Sequence, residues 1–305
     1  MSDSPAPHSE ERAGIVYAAS AYALWGVLTV YWRALDGIPA LELTVHRVLW
    51  CAPFVLAITL VRGHLARVLA AVRDPRMLGA LAVSGAVISV NWLIYIYGVE
   101  SRQLVEISLG YYIMPLVSFA MGLALFGERI SRLRAACIAL AAIAVGLRVL
   151  SLGHIPWLAL GLALTFSLYG YVRKRAPVAA LDGLLVETTL MFPFALGLMV
   201  WWTASGTAAF PTERAPINIL LVAAGPLTAL PLSLFAAGAR RISMTTMGFL
   251  QYLSPSITLL IAVLGFGEAF TRVDLISFGC VWAALVIVAL ESRFPMRAPL
   301  PSTLK

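Results

Sequence analysis

The sequence predicts an all-α membrane protein of about ten transmembrane helices, arranged as two five-helix halves of opposite topology. Three observations predict it. Of the 305 residues, 61% are hydrophobic and 12% are charged, whereas a soluble domain carries about 25% charged residues. The apolar residues fall into successive runs of span length. The two halves of the chain repeat each other at one constant offset.

Residues 1–13 are polar and contain Pro5 and Pro7, which predicts a tail. It lacks a basic n-region and a cleavage site, so the first apolar run is expected to act as its own insertion signal. A span needs about 20 apolar residues. Runs of that length lie near 14–33, 43–61, 77–98, 104–126, 133–150, 155–172, 181–202, 216–238, 243–266 and 273–291. Only Ser151 to His154 separate the fifth from the sixth. The longest connectors are Arg62 to Arg76 and Thr203 to Ala215, and the chain after Glu291 is polar with three prolines.

Basic residues set the orientation. With the N-terminus in the cytoplasm, sixteen Arg and Lys residues fall inside and five outside, Arg47 lying within a span. That bias predicts cytoplasmic N- and C-termini and an even number of spans. It also accounts for the net charge of +7 as membrane orientation rather than nucleic-acid binding. Cys51, Cys137 and Cys280 lie in apolar runs without a CxxC spacing, so they read as structural thiols.

A shift of 140 residues aligns the halves without a gap. Tyr31 meets Tyr171, and Arg33 meets Arg173. Pro53 and Phe54 meet Pro193 and Phe194; Gly85 meets Gly225; Gly98 meets Gly238. Tyr112 and Pro115 meet Tyr252 and Pro255, and Phe126-Gly127-Glu128 meets Phe266-Gly267-Glu268. Five spans is an odd number, so the second half enters the membrane from the opposite side. Two halves related in this way can pack in two equivalent arrangements, one open to each side.

Several segments resemble the RarD branch of the EamA family. They are the run from Pro39 through Arg47 to Trp50, Asn91-Trp92-Leu93, the run from Glu106 to Leu116 and the run from Leu123 to Arg129. In the second half, the runs Tyr169 to Lys174, Gly183 to Thr188 and Gly248 to Tyr252 are similar too. Met114 and Ser254 depart from the family pattern at equivalent positions. The resemblance implies a drug/metabolite transporter of the bacterial inner membrane with two five-helix EamA repeats, at 14–150 and 155–291, flanked by cytoplasmic tails at 1–13 and 292–305. The family name carries an association with chloramphenicol.

Charged residues inside spans cost about 2.5–3.5 kcal/mol on insertion scales, so they point to a cavity or a partner. Arg47 and Glu187 occupy equivalent positions in the two halves and lie at similar depths from opposite faces. Arg47 is expected to meet Glu106 in the outer half, and Glu187 to meet Arg173, Lys174 or Arg240 in the inner half. Such pairs suit gating, and they equally suit static bridges between helices. His46 adjoins Arg47 but points about 100° away on a helix. Glu106 and Glu187 could carry a coupling proton if burial raises their pKa.

Tyr111, Tyr112, Gln251 and Tyr252 precede Pro115 and Pro255, which free backbone carbonyls for a solute. Asn91, Trp92 and Trp25 offer an amide and two aromatic walls, with helix and interface packing as the alternative. Pro53, Pro115, Pro193 and Pro255 are the expected hinges. Glu128 and Glu268 are expected to be surface acids at helix ends.

The expected function is secondary transport, with export of a small metabolite or drug by alternating access and no ATP, since GxxxxGK[ST] is absent. The alternatives are a membrane-embedded enzyme, a lipid scramblase or a receptor-like sensor. The four histidines form no HExxH and no paired-carboxylate motif occurs. No cofactor or metal is expected. The expected partners are the small-molecule substrate and the lipid bilayer, and the oligomeric state a monomer or homodimer.

Overall fold

Helix ends follow local chemistry throughout the computed structural model. It describes residues 7–267 except 102 and 213, and beyond them positions 275, 279, 280, 282–284, 286 and 287. The tenth expected span, Glu268, Arg272 and the tail after Glu291 therefore lie outside the described residues, apart from those isolated positions of the span.

Every described element is helical. α1 spans Pro7–Ala34, α2 Ala40–Val61, α3 Leu65–Arg73, α4 Pro75–Glu100, α5 Leu104–Phe126 and α6 Arg132–Leu152. α7 spans Trp157–Arg175, α8 Ala180–Ser205, α9 Ala215–Ala239, α10 Met244–Gln251 and α11 Leu253–Leu260, and Ile261–Gly265 continues as a π-helical turn. Among the described residues, seven of these stretches, with α10, α11 and the π-helical turn counted as one, are long and apolar enough to cross a membrane. α7 ends in Arg173, Lys174 and Arg175, which makes it less apolar.

Asp74 caps α4 by accepting from the Arg76 N–H at 2.9 Å, with Pro75 behind it. Ser131 and Ser243 cap α6 and α10 in the same way. Gly127, Gly153 and Gly206 end α5, α6 and α8 in the left-handed conformation that glycine adopts without strain. Gly153 is why a connector as short as 153–156 divides α6 from α7. The long connector after α2 is not irregular, because α3 fills most of it.

Ala40, Pro75 and Leu104 open α2, α4 and α5, and Ala180, Ala215 and Met244 open α8, α9 and α10, each 140 positions further on. Packing follows the same correspondence. α1 packs on α9 and α7 on α4, while α2 packs on α8 and α5 on α10. A Cβ added to Gly238 would meet Ala18, and one added to Gly98, at the matching place, would lie 3.5 Å from Leu158. At Gly225 an added Cβ would stand 2.2 Å from the Trp50 carbonyl carbon, so α2 and α9 touch backbone to backbone. Small residues permit that approach where lipid supplies no hydrophobic drive between helices.

Acids tie the helix ends together. Glu42, on the first turn of α2, accepts from the Ala209 and Phe210 N–H groups at 2.9–3.0 Å. Asp182, at the equivalent place on α8, binds Arg67 of α3 at 2.8 Å. Glu128 accepts from the Met244 and Thr245 N–H groups at 2.6 and 2.9 Å and from the Thr245 hydroxyl at 2.7 Å. The expectation of a surface acid at Glu128 is corrected: the carboxylate caps the N-terminus of α10, where backbone donors and the helix dipole favour negative charge.

Candidate functional site

The interior carries three polar layers, one near each end of the bundle and one between. One end lies at Glu42, where α2 starts, and the other at Arg173, where α7 stops.

At the Glu42 end, Arg47 sits on the face of α2 that also carries buried Cys51 and Val55, one and two turns further on. Its Nε donates to the Thr228 hydroxyl on α9 at 3.1 Å. Its guanidinium carbon lies 4.4 Å from the Trp92 ring centre and 5.3 Å from that of Trp32. The hydroxyls of Tyr31, Tyr95 and Tyr111 are within electrostatic range. Among the described residues, no carboxylate forms an ion pair with Arg47.

Two of these tyrosines show that this is a space rather than a packed core. Tyr95 is 38% exposed, yet it shares a helix face with buried Ser84, Ile88 and Asn91. The opposite face of α4 bears the exposed Val83, Val90, Leu93 and Tyr97. Tyr111 is 40% exposed, yet buried Ser118 lies seven residues further along its face. Accessible area on inward-facing positions marks a vestibule between helices. Arg47 is itself only partly covered.

The sequence pairing of Arg47 with Glu106 is corrected. Glu106 accepts from the Leu158 N–H at 3.1 Å and lies 3.6 Å from His154, so it caps the N-terminus of α7. His46 points away from the vestibule. It is buried, its Nδ1 accepts from Trp50 Nε1 at 2.9 Å, and its ring meets Phe210 edge-on. Asn91 donates to the Leu162 carbonyl at 3.0 Å and the Thr165 hydroxyl at 2.8 Å, which makes it a link from α4 to α7.

The middle layer is a hydrogen-bonded chain. Ser118 donates to Gln251 Oε1 at 3.2 Å and lies 3.3 Å from Ser167, which donates to the Met114 carbonyl. Tyr252 reaches the carbonyl of Tyr112, its own counterpart in the first half, at 3.5 Å. Trp25 packs with Tyr22, Phe166 and Phe235, ring centres 5.5–5.8 Å apart. It lies on the same face of α1 as Trp32, two turns deeper. Of the expected hinges, only Pro255 coincides with a break, between α10 and α11; Pro53, Pro115 and Pro193 lie inside continuous helices.

At the Arg173 end the Arg173–Glu187 contact is dry, while cavities of about 550 and 290 Å³ open outside it, one lined by Arg76, Tyr171 and Arg175 and the other by Arg67, Met77 and Asp182. Arg173 and Glu187 are each about 1% exposed and approach to 3.3 Å. Tyr169 donates to Glu187 at 3.5 Å, and Arg173 also donates to the Ala180 carbonyl at 2.9 Å. Gly183 makes room for this guanidinium, since an added Cβ would lie 2.0 Å from it. Glu187 rests against Gly85 of α4, with Ser84 beside it fully buried. Lys174 donates to the Ala239 carbonyl at 3.1 Å and to that of Ile242. Arg240, past the end of α9, donates to Val178; burial and the charges of Arg241 and Arg173 pull its guanidinium below the usual range.

Trp32, Tyr95, Thr228 and Gly183 were not legible as site residues. Trp32 stands seven residues after Trp25, a spacing that places both on one face of α1.

Residues 12–150 match the model of the EamA-like transporter family. An uncharacterised transporter of Vibrio cholerae is 40% identical, covering 92% of this chain and 93% of its own. Proteins named RarD from Streptomyces exfoliatus and Escherichia coli are 37% and 34% identical, covering 97% and 94% of this chain and 96% and 97% of their own. A solved crystal structure superposes with a TM-score of 0.70 at 18% identity, covering 92% of this chain and 98% of the other, a likeness of fold. With its succession of apolar helices, the chain is a multi-pass membrane protein of the EamA-like transporter family, in the RarD branch.

Proposed function

We propose that the protein is a secondary transporter that moves a small metabolite or drug across the bacterial inner membrane by alternating access. One observation carries the reading: the interior is accessible around Arg47, Tyr95 and Tyr111 but dry around Arg173 and Glu187. A static bundle needs no such difference between its ends. An alternating-access protein open to one side has it.

The repeat supports the same reading. Helix starts recur at one offset, and helix contacts come in matching pairs. We take the whole as ten spans in two inverted repeats, at 14–150 and 155–291. Exchange of the two packings would seal the Glu42 end and open the Arg173 end. The basic residues favour placing the Arg173 end in the cytoplasm, so the state described is the outward-accessible one. Arg67–Asp182 and the Arg173–Glu187 layer then form the inner closure.

The vestibule residues Arg47, Trp92 and Tyr111 are the proposed substrate contacts, with Trp25, Gln251 and Tyr252 deeper along the path. Tyr112 packs behind them. Glu187 is the acid best placed to lose its partner when the inner end opens, so it is the candidate for proton coupling. Glu106 is held by the α7 N-terminus. One relative, from Pseudomonas aeruginosa and 28% identical, is named chloramphenicol-sensitive protein RarD, which supports a drug-like solute.

The test is flux. Liposomes containing the purified protein are loaded with a metabolite and antibiotic mixture, and the solutes that leave are identified by mass spectrometry. At least one solute should leave faster than from empty liposomes, and Arg47→Ala should slow it. Equal release of every solute from both preparations would refute the reading.

A further inference from the structure

We propose that the solute taken at Arg47 is an organic monoanion, a carboxylate or similar oxyanion on a flat apolar body, and not a zwitterion or a cation. The inference deepens the transporter reading and rests on it.

The guanidinium is the recognition element. Arg47 uses Nε on Thr228, which leaves the two terminal nitrogens of its planar fork for a bidentate anion. Trp92 and Trp32 lie 4.4 and 5.3 Å from the guanidinium carbon. They hold the cation and offer apolar surface to a ring or chain attached to the anion. The tyrosines at 95 and 111 keep accessible area on the same side and supply hydroxyls. Apolar walls with a few polar groups are typical of small-molecule sites.

Among the described residues, the lack of a free negative group beside Arg47 disfavours the zwitterion. An ammonium needs a carboxylate, a ring of carbonyls or an aromatic cage; here Trp92 and Trp32 already face the Arg47 cation, and each buried glutamate among the described residues is engaged. Glu42 holds the Ala209 and Phe210 N–H groups, Glu106 holds Leu158 and His154, and Glu187 holds Arg173. A zwitterion at Arg47 would leave its ammonium without a partner among the described residues.

Symmetry adds an independent argument. At the sealed end, Arg173 and Glu187 form a dry ion pair. Their equivalents 140 residues earlier are Arg33 and Arg47. Two cations cannot reproduce that seal by pairing with each other. Among the described residues, Arg47 has no carboxylate partner that could close this end as Glu187 and Arg173 close the other, and a substrate anion would supply that charge.

The experiment is thermal stabilisation of the purified protein by four probes of one shape: 3-phenylpropionate, 3-phenylpropanamide, phenylalanine and 3-phenylpropylamine. The anion should bind at least tenfold more tightly than the other three. Arg47→Gln should abolish that preference, and Arg47→Lys should weaken it, because an ammonium lacks the planar fork. Equal stabilisation by the amide, a preference for phenylalanine or the amine, no stabilisation by any probe, or a preference that survives Arg47→Gln would each overturn the proposal. The wild-type comparison stands alone if a variant fails to fold. Flux is scored separately in liposomes. Binding of the anion without flux of any solute keeps the site and removes the transporter reading. Flux of another solute class without anion binding does the reverse.

Discussion

Replacing Glu187 by Gln tests the inner closure at its driest point. The side chain keeps its shape and a carbonyl oxygen, so packing is conserved, but the charge that faces Arg173 at 3.3 Å is removed. Arg173 keeps its bond to the Ala180 carbonyl and is then a buried, unpaired cation. Removing one partner of a buried ion pair costs about 3–5 kcal/mol. When α4 separates from α8, water reaches the site, because Glu187 is packed directly on Gly85. The penalty therefore falls on the sealed state and not on the open one. At about 1.4 kcal/mol per tenfold change, a penalty of about 3 kcal/mol shifts the balance toward inner opening by about 150-fold.

Cys51 is a native reporter of that shift. It is buried near the middle of α2, within electrostatic range of both Arg47 and Glu187. In a Cys137→Ala, Cys280→Ala background, an impermeant maleimide confined to the Arg173 side should label Cys51 slowly in the parent. It should label it at least tenfold faster in Glu187→Gln. The double replacement Arg173→Leu, Glu187→Leu removes the unpaired charge and should restore slow labelling. An unchanged labelling rate in Glu187→Gln, with the protein folded, would refute the assignment of this layer as a closure.

Three further outcomes follow from the packing. Glu128→Ala removes the acceptor of three hydrogen bonds at the start of α10; it should cost about 1–3 kcal/mol, seen as a lower melting temperature and faster amide exchange over 244–251. Glu42→Ala should release the loop at Ala209 and Phe210, with faster exchange confined to residues 207–212. Gly225→Ala should destabilise the fold by about 1–3 kcal/mol, since the new Cβ meets the Trp50 backbone, whereas Gly197→Ala, with nothing within 4 Å of an added Cβ, should be neutral or mildly stabilising in a melting assay.

The sequence made the helices legible because lipid imposes one length and one composition on each span. It made the offset legible because rare residues such as Pro53 and Pro193, or Tyr112 and Tyr252, mark equivalent places. The contact between Glu187 and Arg173 was also legible, since both lie near the same end of adjacent spans. What stayed hidden depends on rotation about helix axes. Arg47 and Glu106 lie at similar depths, yet Glu106 turns to the N-terminus of α7 and Arg47 to the tryptophans. Depth along a span is written in residue number, while azimuth depends on which neighbour packs where. The prolines do not by themselves mark helix breaks: Pro115 sits in a continuous α5, and the break falls near Pro255. The loop contact of Glu42 and the capping roles of Glu106 and Glu128 join residues from 52 to 168 positions apart, beyond any local pattern.

The central claim is that access alternates between the two ends. Paired cysteine reporters test it most directly. Ser108→Cys, on the accessible face of α5, reads the Glu42 end, and Ser84→Cys, fully buried beside Glu187, reads the Arg173 end. Each is introduced alone into a cysteine-free chain and labelled in membrane vesicles. Without ligand, Ser108→Cys should label quickly and Ser84→Cys slowly. Combining either reporter with Glu187→Gln should reverse the order, slowing the first as it speeds the second. Simultaneous fast labelling of both would indicate an open pore, and rates that stay fixed in both backgrounds would indicate a static bundle; either result would contradict the account.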